Sequence, residues 1–241
     1  MQNPMQILRC DRGTATVEFA LVTPILLFLS LVLLQVMLLM TGHIVVDYAA
    51  FAAVRAAITT VPYATDTEPA NVFVAGSESG KHEAVRRAAV FACMPVSGRL
   101  DSASAKVPVD SFVSGLEELY TQSGEDVPTW VDTLAAYRLR YADANTTVEV
   151  CTTEVAEDGS VTISPLTTGV SHTFAPNDPI TVRVTHRFSL TVPYVRKIFD
   201  DGEHQDGEGH GLYTTMSAQY TLTNEGLSKL LPPTPALDRD P

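Results

Sequence analysis

The chain has 241 residues, enough for one sizeable domain with appendages, and its 45% hydrophobic content is ordinary for a folded protein. Its 16 basic and 28 acidic residues give a net charge of −12, and a surface that negative repels phosphate, which excludes nucleic acid as a partner. The sequence has no Walker A loop, dinucleotide fingerprint, His-Glu-x-x-His or paired Cys-x-x-Cys motif. It therefore singles out no catalytic residue, no enzyme class and no cofactor.

A long apolar segment lies near the N-terminus. Residues 19–46 contain no Asp, Glu, Lys or Arg, and residues 19–40 read FALVTPILLFLSLVLLQVMLLM. As a helix this shorter run spans about 33 Å, which matches the hydrocarbon core of a bilayer. The rival interpretation, a cleaved secretory signal, has an apolar core of only about 7 to 15 residues. The segment therefore predicts one membrane-spanning helix.

The charges that flank the apolar run predict its orientation. Arg9 and Arg12 precede the run, and Asp47 is the first acidic residue after it. Because basic flanks stay on the cytoplasmic side, we expect a short cytoplasmic N-terminus. Nearly all of the remaining chain then lies on the opposite side of the membrane.

A second pattern leads into the apolar run. A short basic leader ends at Gly13, and after four further residues come Glu18 and Phe19. Glu18 has two interpretations. Its carboxylate lies in the headgroup region, where the cost is small, or it pairs with the amine that cleavage after Gly13 would free on Thr14, in the same chain or in a neighbouring subunit.

This pattern resembles a type IV prepilin processing site, and its continuation into the Ala-rich DYAAFAAVRAAI resembles the TadE-like minor pseudopilins of Tad (Flp) pilus systems. The resemblance covers residues 12–60 and returns more weakly over residues 180–225. It implies that Gly13 precedes the cut, that Thr14 becomes the new N-terminus, and that Glu18 acts in processing or assembly.

The resemblance also implies a function and a set of partners. It implies a non-enzymatic assembly component of a Tad pilus, acting in adhesion, biofilm formation or secretion. Its location would be the bacterial inner membrane with a periplasmic C-terminal domain, and its incorporation into the extracellular pilus is left open. Expected partners are other pilins or pseudopilins, the Tad assembly machinery and a prepilin peptidase. The alternatives are a permanently anchored periplasmic binding or sensing domain and a membrane-tethered, metal-dependent hydrolase.

The pattern beyond the membrane predicts more helices. The first helix is expected to continue to about Thr60, where Val61-Pro62 ends it. Its alanines at residues 49–57 indicate close packing with partner helices or simply high helix propensity. Residues 63–80 are predicted as a connection. Apolar periodicity predicts three further helices, at residues 81–94, 112–120 and 129–142. In the last of these, the stripe expected to face the core is Trp130, Leu134, Tyr137 and Tyr141.

After Asn145 the apolar period changes to two, which predicts strands. The four strands are expected at residues 147–155, 160–164, 180–190 and 216–222, with a hairpin at Glu157-Asp158-Gly159. The predicted fold class is α+β: a long N-terminal transmembrane helix that continues into a periplasmic, pilin-like domain of helices packed on a mostly antiparallel sheet. The predicted organisation is a leader at 1–13, the helix at 14–60, the outer domain at 61–229 and a Pro-rich tail at 230–241.

Two further features of the sequence, its cysteines and an acidic loop, are candidates for a disulfide and a metal site. Cys93 and Cys151 are the cysteines beyond the membrane, where oxidising conditions favour a disulfide between them, and the alternative is two buried free thiols. Cys10 lies in the predicted leader. Residues 200–211, DDGEHQDGEGHG, hold many potential metal ligands but match no calcium loop, so they predict a solvated hairpin tip rather than a metal site.

Overall fold

The computed structural model describes residues 11–65, 68–76, 79–100, 107–155, 160–201 and 212–224, with the backbone alone at 11–15 and 154–155. Its first helix, α1, runs from Asp11 to Thr60, 50 residues without a break. At about 1.5 Å per residue it is about 75 Å long. It ends immediately before Val61-Pro62, as the sequence predicts.

The elements after α1 confirm the α+β class. In chain order they are β1 (Val72–Val74), α2 (Gly80–Cys93), α3 (Val109–Ser123), α4 (Ala136–Asn145), β2 (Thr146–Val155), β3 (Val161–Pro165), β4 (Ser171–Thr173), β5 (Pro179–Ser189) and β6 (Tyr213–Thr223). The three helices and four strands that the sequence predicts are all present, with ends that shift by three residues or fewer, except that the third helix starts as the π-helical turn Val131–Ala135 and is α-helical only from Ala136. The chain divides into two compact units: residues up to Met40 with Leu190–Thr214, and Thr41–Ser189 with the residues from Thr215 onward.

The main sheet has four strands in the order β3-β2-β5-β6. β2 pairs antiparallel with β3, with Val155 opposite Val161, and antiparallel with β5, with Val150 opposite Val182. From Val182 to Phe188 alternate side chains of β5 are buried, as the period of two predicts, and Thr181 on the opposite face is buried as well. α2 packs on β2 and α4 on β5, so helices cover one face of the sheet.

A second, two-stranded sheet joins segments that are far apart in the sequence. β1 pairs antiparallel with β4, and Phe73 lies opposite His172. The prediction that residues 63–80 form only a connection is therefore wrong. A strand of three residues shows no period of its own, and its partner is about a hundred positions away, so the sequence pattern does not reveal this pairing.

The buried Lys81 holds the region between α1 and α2 together. Its side chain is 1% exposed, and its Nζ donates hydrogen bonds to the carbonyls of Val61 at 3.0 Å, Pro69 at 2.7 Å and Val72 at 2.7 Å. Three carbonyls match the three donors of an ammonium. Burial lowers the pKa of Lys81, against a smaller rise from the nearby Glu68 carboxylate.

The residues that precede α4 correct one core prediction. Val131–Ala135 form a π-helical turn, which changes the face that the following residues present. Of the predicted stripe, Tyr141 is buried and Leu134 and Tyr137 are half-buried, but Trp130 is 44% exposed. Its ring lies edge-on to Tyr120 with 6.3 Å between the centroids. The expected core stripe is therefore wrong at Trp130, because the π turn shifts the buried face away from it.

From Gly42 onward, one face of α1 is buried by the chain's own domain. The buried positions recur at helical spacing: Gly42, Val46, Ala49, Ala50, Ala53, Val54 and Ala57. On this part of α1, Phe51 packs edge-on against Tyr220 of β6, with 5.8 Å between the centroids. The buried alanines therefore bring the helix close to its own sheet, so they do not form a surface for partner helices.

Candidate membrane and assembly site

The first thirty residues of α1 carry an exposed apolar surface, which we call the apolar belt. It runs from Val17 to Met40, and its large apolar side chains are mostly between 37% and 72% exposed. Over Thr16–Thr60 the helix is long and apolar enough to cross a membrane, and only 6% of its most apolar 18-residue stretch is buried. The buried core helix of a soluble domain would not expose such a surface. The belt therefore indicates a membrane anchor with a single pass.

Polar side chains within the belt are satisfied by their own helix. The Thr23 hydroxyl donates to the carbonyl of Phe19 at 2.7 Å, and the Ser30 hydroxyl donates to the carbonyl of Leu26 at 2.8 Å. Such bonds leave no hydroxyl hydrogen unpaired in hydrocarbon, so both residues are compatible with a membrane span. Pro24 lies inside the same helix without ending it.

Gln35 lies within the belt, but unlike the large apolar residues around it, it is 0% exposed. Its Oε1 accepts a hydrogen bond from the backbone N–H of Val192 at 3.3 Å, although 157 positions separate the two residues. Val192 and Val195 are buried at 4% and 0% exposure. A short segment that follows β5 therefore lies against the membrane helix at the level of Gln35.

The predicted processing residues all lie in the first turns of α1. The Gly13–Thr14 bond falls three residues after the helix begins, and the side chain of Thr14 is outside the described part of the structure. The Glu18 side chain is exposed, and Phe19 is 72% exposed. Residues 14 and 18 are four apart, so they share one helix face with a rise of about 6 Å between them.

The two cysteines beyond the membrane are free thiols in the structure, and both are buried. The Cys93 thiol is hydrogen-bonded with Thr146 at the start of β2, whereas the Cys151 thiol faces the carbonyl of Glu149 at 3.9 Å. Thr146 and Cys151 are five residues apart on one strand, about 16 Å, and point to opposite faces. A disulfide needs Cα atoms within about 7 Å, so the expected bridge is not formed.

The acidic loop is largely outside the described residues. Of residues 200–211, the structure describes Asp200 and Asp201, and the Asp200 carboxylate accepts a hydrogen bond from the backbone N–H of Tyr213 at 3.3 Å. The Pro-rich tail also lies outside the described part. Among the described residues, no three His, Cys, Asp or Glu side chains converge as a metal site would require.

A buried histidine is the polar centre of the outer domain. His186 is 0% exposed on β5, its Nδ1 lies 2.9 Å from the hydroxyl of Thr146, and its ring meets Tyr141 edge-on at 6.2 Å. Burial lowers the pKa of His186 to about 4, while burial raises the pKa of Cys93 to about 12, against a smaller lowering by its hydrogen bond with Thr146. An imidazole with a pKa of about 4 is a weak base, and a thiol with a pKa of about 12 stays protonated at neutral pH, so we regard the buried pair as part of the core. The place of His186 on the apolar face of β5 is its one signal in the sequence.

The comparison with known families bears on the same helix. Residues 13–55 match the model of the family described as TadE-like protein, which confirms the resemblance over α1. TadE-like proteins are pilus assembly components, so the match supports a component that is associated with the Tad pilus system. The match does not extend to residues 180–225. No curated protein and no solved structure matches the chain.

Proposed function

We propose that this protein is a non-enzymatic minor pseudopilin that serves the assembly of a Tad (Flp) type IV pilus, in adhesion, biofilm formation or secretion. The observation that carries the proposal is the coincidence of the TadE-like segment, residues 13–55, with a helix that exposes an apolar belt. The proposed location is the inner membrane, with the N-terminus cytoplasmic because of Arg9 and Arg12 and the outer domain periplasmic. The proposed partners are other pilins or pseudopilins and the Tad assembly machinery.

In this proposal a prepilin peptidase cleaves after Gly13. The bond to Thr14 lies in the first turn of α1, where backbone N–H groups lack helical acceptors, so the turn opens at little cost into the extended form that a peptidase binds. Cleavage places a new ammonium four residues before Glu18. That carboxylate then has a cation within reach in its own chain or in a neighbouring subunit.

The apolar belt supplies the driving force for association in this proposal. Each large apolar side chain that leaves lipid for water costs roughly 1.5 to 3 kcal/mol, so a subunit extracted from the bilayer must cover its belt with other helices. Glu18 lies at one end of the belt and Phe19 begins the charge-free run. Pairing of Glu18 with a neighbour's amine would set the axial position of one helix against the next.

The first test is the N-terminal mass of the full-length chain recovered from membranes, with and without the host's prepilin peptidase. We expect a start at Thr14 that depends on the peptidase. A start at Met1 in both samples refutes processing and favours the alternative, a permanently anchored periplasmic binding or sensing domain.

The second test compares two acidic residues of the same helix. We expect Glu18→Ala to insert into the membrane normally but to lose copurification with other pilins. Asp47→Ala is the matched control, because Asp47 is also an exposed acid of α1 but lies beyond the apolar belt. If both variants copurify with other pilins as well as the unaltered protein does, Glu18 has no part in the assembly mechanism.

A further inference from the structure

The segment that covers Gln35 presents an exposed surface beside the membrane helix. Between the buried Val192 and Val195 and just beyond them, five side chains point to solvent: Pro193, Tyr194, Arg196, Lys197 and Ile198. We call these five residues the interfacial patch. It combines an aromatic ring, an aliphatic side chain and two cations within six residues, in a chain whose net charge is −12.

The backbone of this segment holds Tyr194 outward. Tyr194 has a φ of 66°, which is rare for a residue other than glycine, asparagine or aspartate. The N–H of Val195 donates to the carbonyl of Pro193 at 2.8 Å, which closes a strained three-residue turn around Tyr194. The ring is 85% exposed as a result. Strain of this kind persists where the surrounding contacts fix the chain, and here Val192 and Val195 anchor both sides.

The hydrogen bond to Gln35 fixes the depth of the interfacial patch along the helix. Counted from Phe19, where the charge-free run begins, about 30 Å of helix reaches about Leu38. Gln35 lies three residues before that point, about 5 Å inside the hydrocarbon boundary. Because Val192 is bonded to Gln35, the patch lies near the level where hydrocarbon gives way to headgroups on the far side of the membrane.

We propose that the interfacial patch docks on the outer surface of the bilayer that α1 crosses. Tyr194 and Ile198 enter the interfacial layer, and Arg196 and Lys197 contact lipid phosphates. Tyrosine is enriched at that layer because its ring is apolar and its hydroxyl is polar, and basic side chains attract anionic headgroups. The proposal rests on the membrane anchor alone, so it holds for a pseudopilin and for a permanent anchor alike.

The neighbouring charges favour lipid over a protein partner as the occupant. Arg196 and Lys197 are adjacent and exposed, whereas the Asp200 carboxylate is already bonded to the backbone of Tyr213. The segment that carries the patch is also bonded, through Val192, to Gln35 within the apolar belt, which lipid covers in the membrane. A second copy of this chain that met the patch through a two-fold axis would bring its own cations against the pair and repel them.

The test places a tryptophan in the patch of the full-length chain in lipid nanodiscs. The chain has a single native tryptophan, Trp130, so Tyr194→Trp is made in a Trp130→Phe background. Phosphatidylcholine brominated near the headgroup is expected to quench the introduced fluorophore about twofold, more than lipid brominated deep in the chain does. Trp130 in the unaltered protein, which is outside the patch, gives the reference level of quenching.

Two results of the quenching experiment would overturn the proposal. A probe that is quenched by aqueous iodide, but by neither brominated lipid, overturns the proposal. A probe that is protected from iodide yet insensitive to brominated lipid also overturns it, and points to a protein interface instead. A second probe guards against a local effect of the tryptophan: Ile198→Cys in a Cys10→Ser background carries an environment-sensitive dye.

Charge reversal separates phosphate binding from simple apolar contact. In discs that contain phosphatidylglycerol, the quenching of the probe at position 194 should exceed that in pure phosphatidylcholine. The pair Arg196→Glu and Lys197→Glu should abolish this difference. Arg55→Glu changes the charge at another exposed position of α1 and should leave it intact. Quenching that ignores both lipid charge and the reversed pair refutes the phosphate contacts.

Discussion

At Gly42, α1 lies close against side chains of its own sheet, so a single added methyl group tests the packing of the outer domain. A Cβ at this position would lie 2.9 Å from Sδ of Met216 and 2.9 Å from Cδ2 of Phe188. Both distances are well inside van der Waals contact. Met216 and Phe188 are 1% and 6% exposed, so neither side chain can retreat into solvent.

The expected magnitude follows from a comparison with a second glycine. Overpacking a closed core costs about 1 to 3 kcal/mol, whereas replacing a helical glycine with alanine gains about 1 kcal/mol of propensity. Gly115 lies inside α3, and a Cβ there meets nothing within 4 Å. The propensity gain is common to both sites, so Gly42→Ala should be about 1 to 3 kcal/mol less favourable than Gly115→Ala.

The assay is urea unfolding of the full-length variants in detergent micelles, followed by the fluorescence of Trp130. We expect Gly115→Ala to raise the free energy of unfolding and Gly42→Ala to lower it. In a Met216→Ala background the cost at Gly42 should fall, because the nearest flexible atoms are gone. Equal stabilisation by both substitutions would refute the close approach of helix and sheet at Gly42.

Three further predictions concern buried groups of the outer domain. Lys81→Met should lower the free energy of unfolding by roughly 3 kcal/mol, because three carbonyls lose a buried donor, while the exposed Lys197→Met should change it by less than about 0.5 kcal/mol in urea titrations. The pKa of His186 is about 4 in the folded chain and 6.5 in the unfolded chain. Its contribution to the free energy of unfolding is therefore complete above pH 6.5 and is lost as the pH falls towards 4. Between pH 6.5 and pH 4 the free energy of unfolding of the unaltered protein should therefore fall by on the order of 3 kcal/mol more than that of His186→Leu. The same pH dependence in both proteins would contradict this. Cys93 and Cys151 should resist iodoacetamide at pH 8 in the folded chain, and both should react in denaturant without reductant. If the intact mass of the denatured, treated chain lacks both adducts, the two cysteines form a bridge.

The features that could be predicted from the sequence are those with a local cause. The end of α1 follows from Val61-Pro62, and the alternation of β5 follows from one buried face of a sheet. Each of these depends on contacts or backbone restrictions within a few positions.

The features that could not be predicted depend on residues far apart in the chain. The bond between Gln35 and Val192 joins a membrane helix to a segment after β5, and a lone glutamine in an apolar run gives no hint of its acceptor role. The pairing of Phe73 with His172 has the same origin. A bridge between Cys93 and Cys151 was expected because they are the two cysteines beyond the membrane. The number of cysteines does not reveal which way each side chain points, and the structure holds both as free thiols.

Glu18 lies at the end of the apolar belt that is farther from both Gln35 and the buried stripe, and this separates assembly from folding in the proposed function. The apolar belt ends at Met40, and the stripe of small buried residues begins at Gly42. A change at Glu18 therefore leaves the packing of the outer domain untouched, whereas a change at Gly42 leaves the exposed belt unaltered. Loss of copurification in Glu18→Ala at unchanged stability would locate association in the belt. The same loss accompanied by a lower free energy of unfolding would show that the helix transmits both properties together.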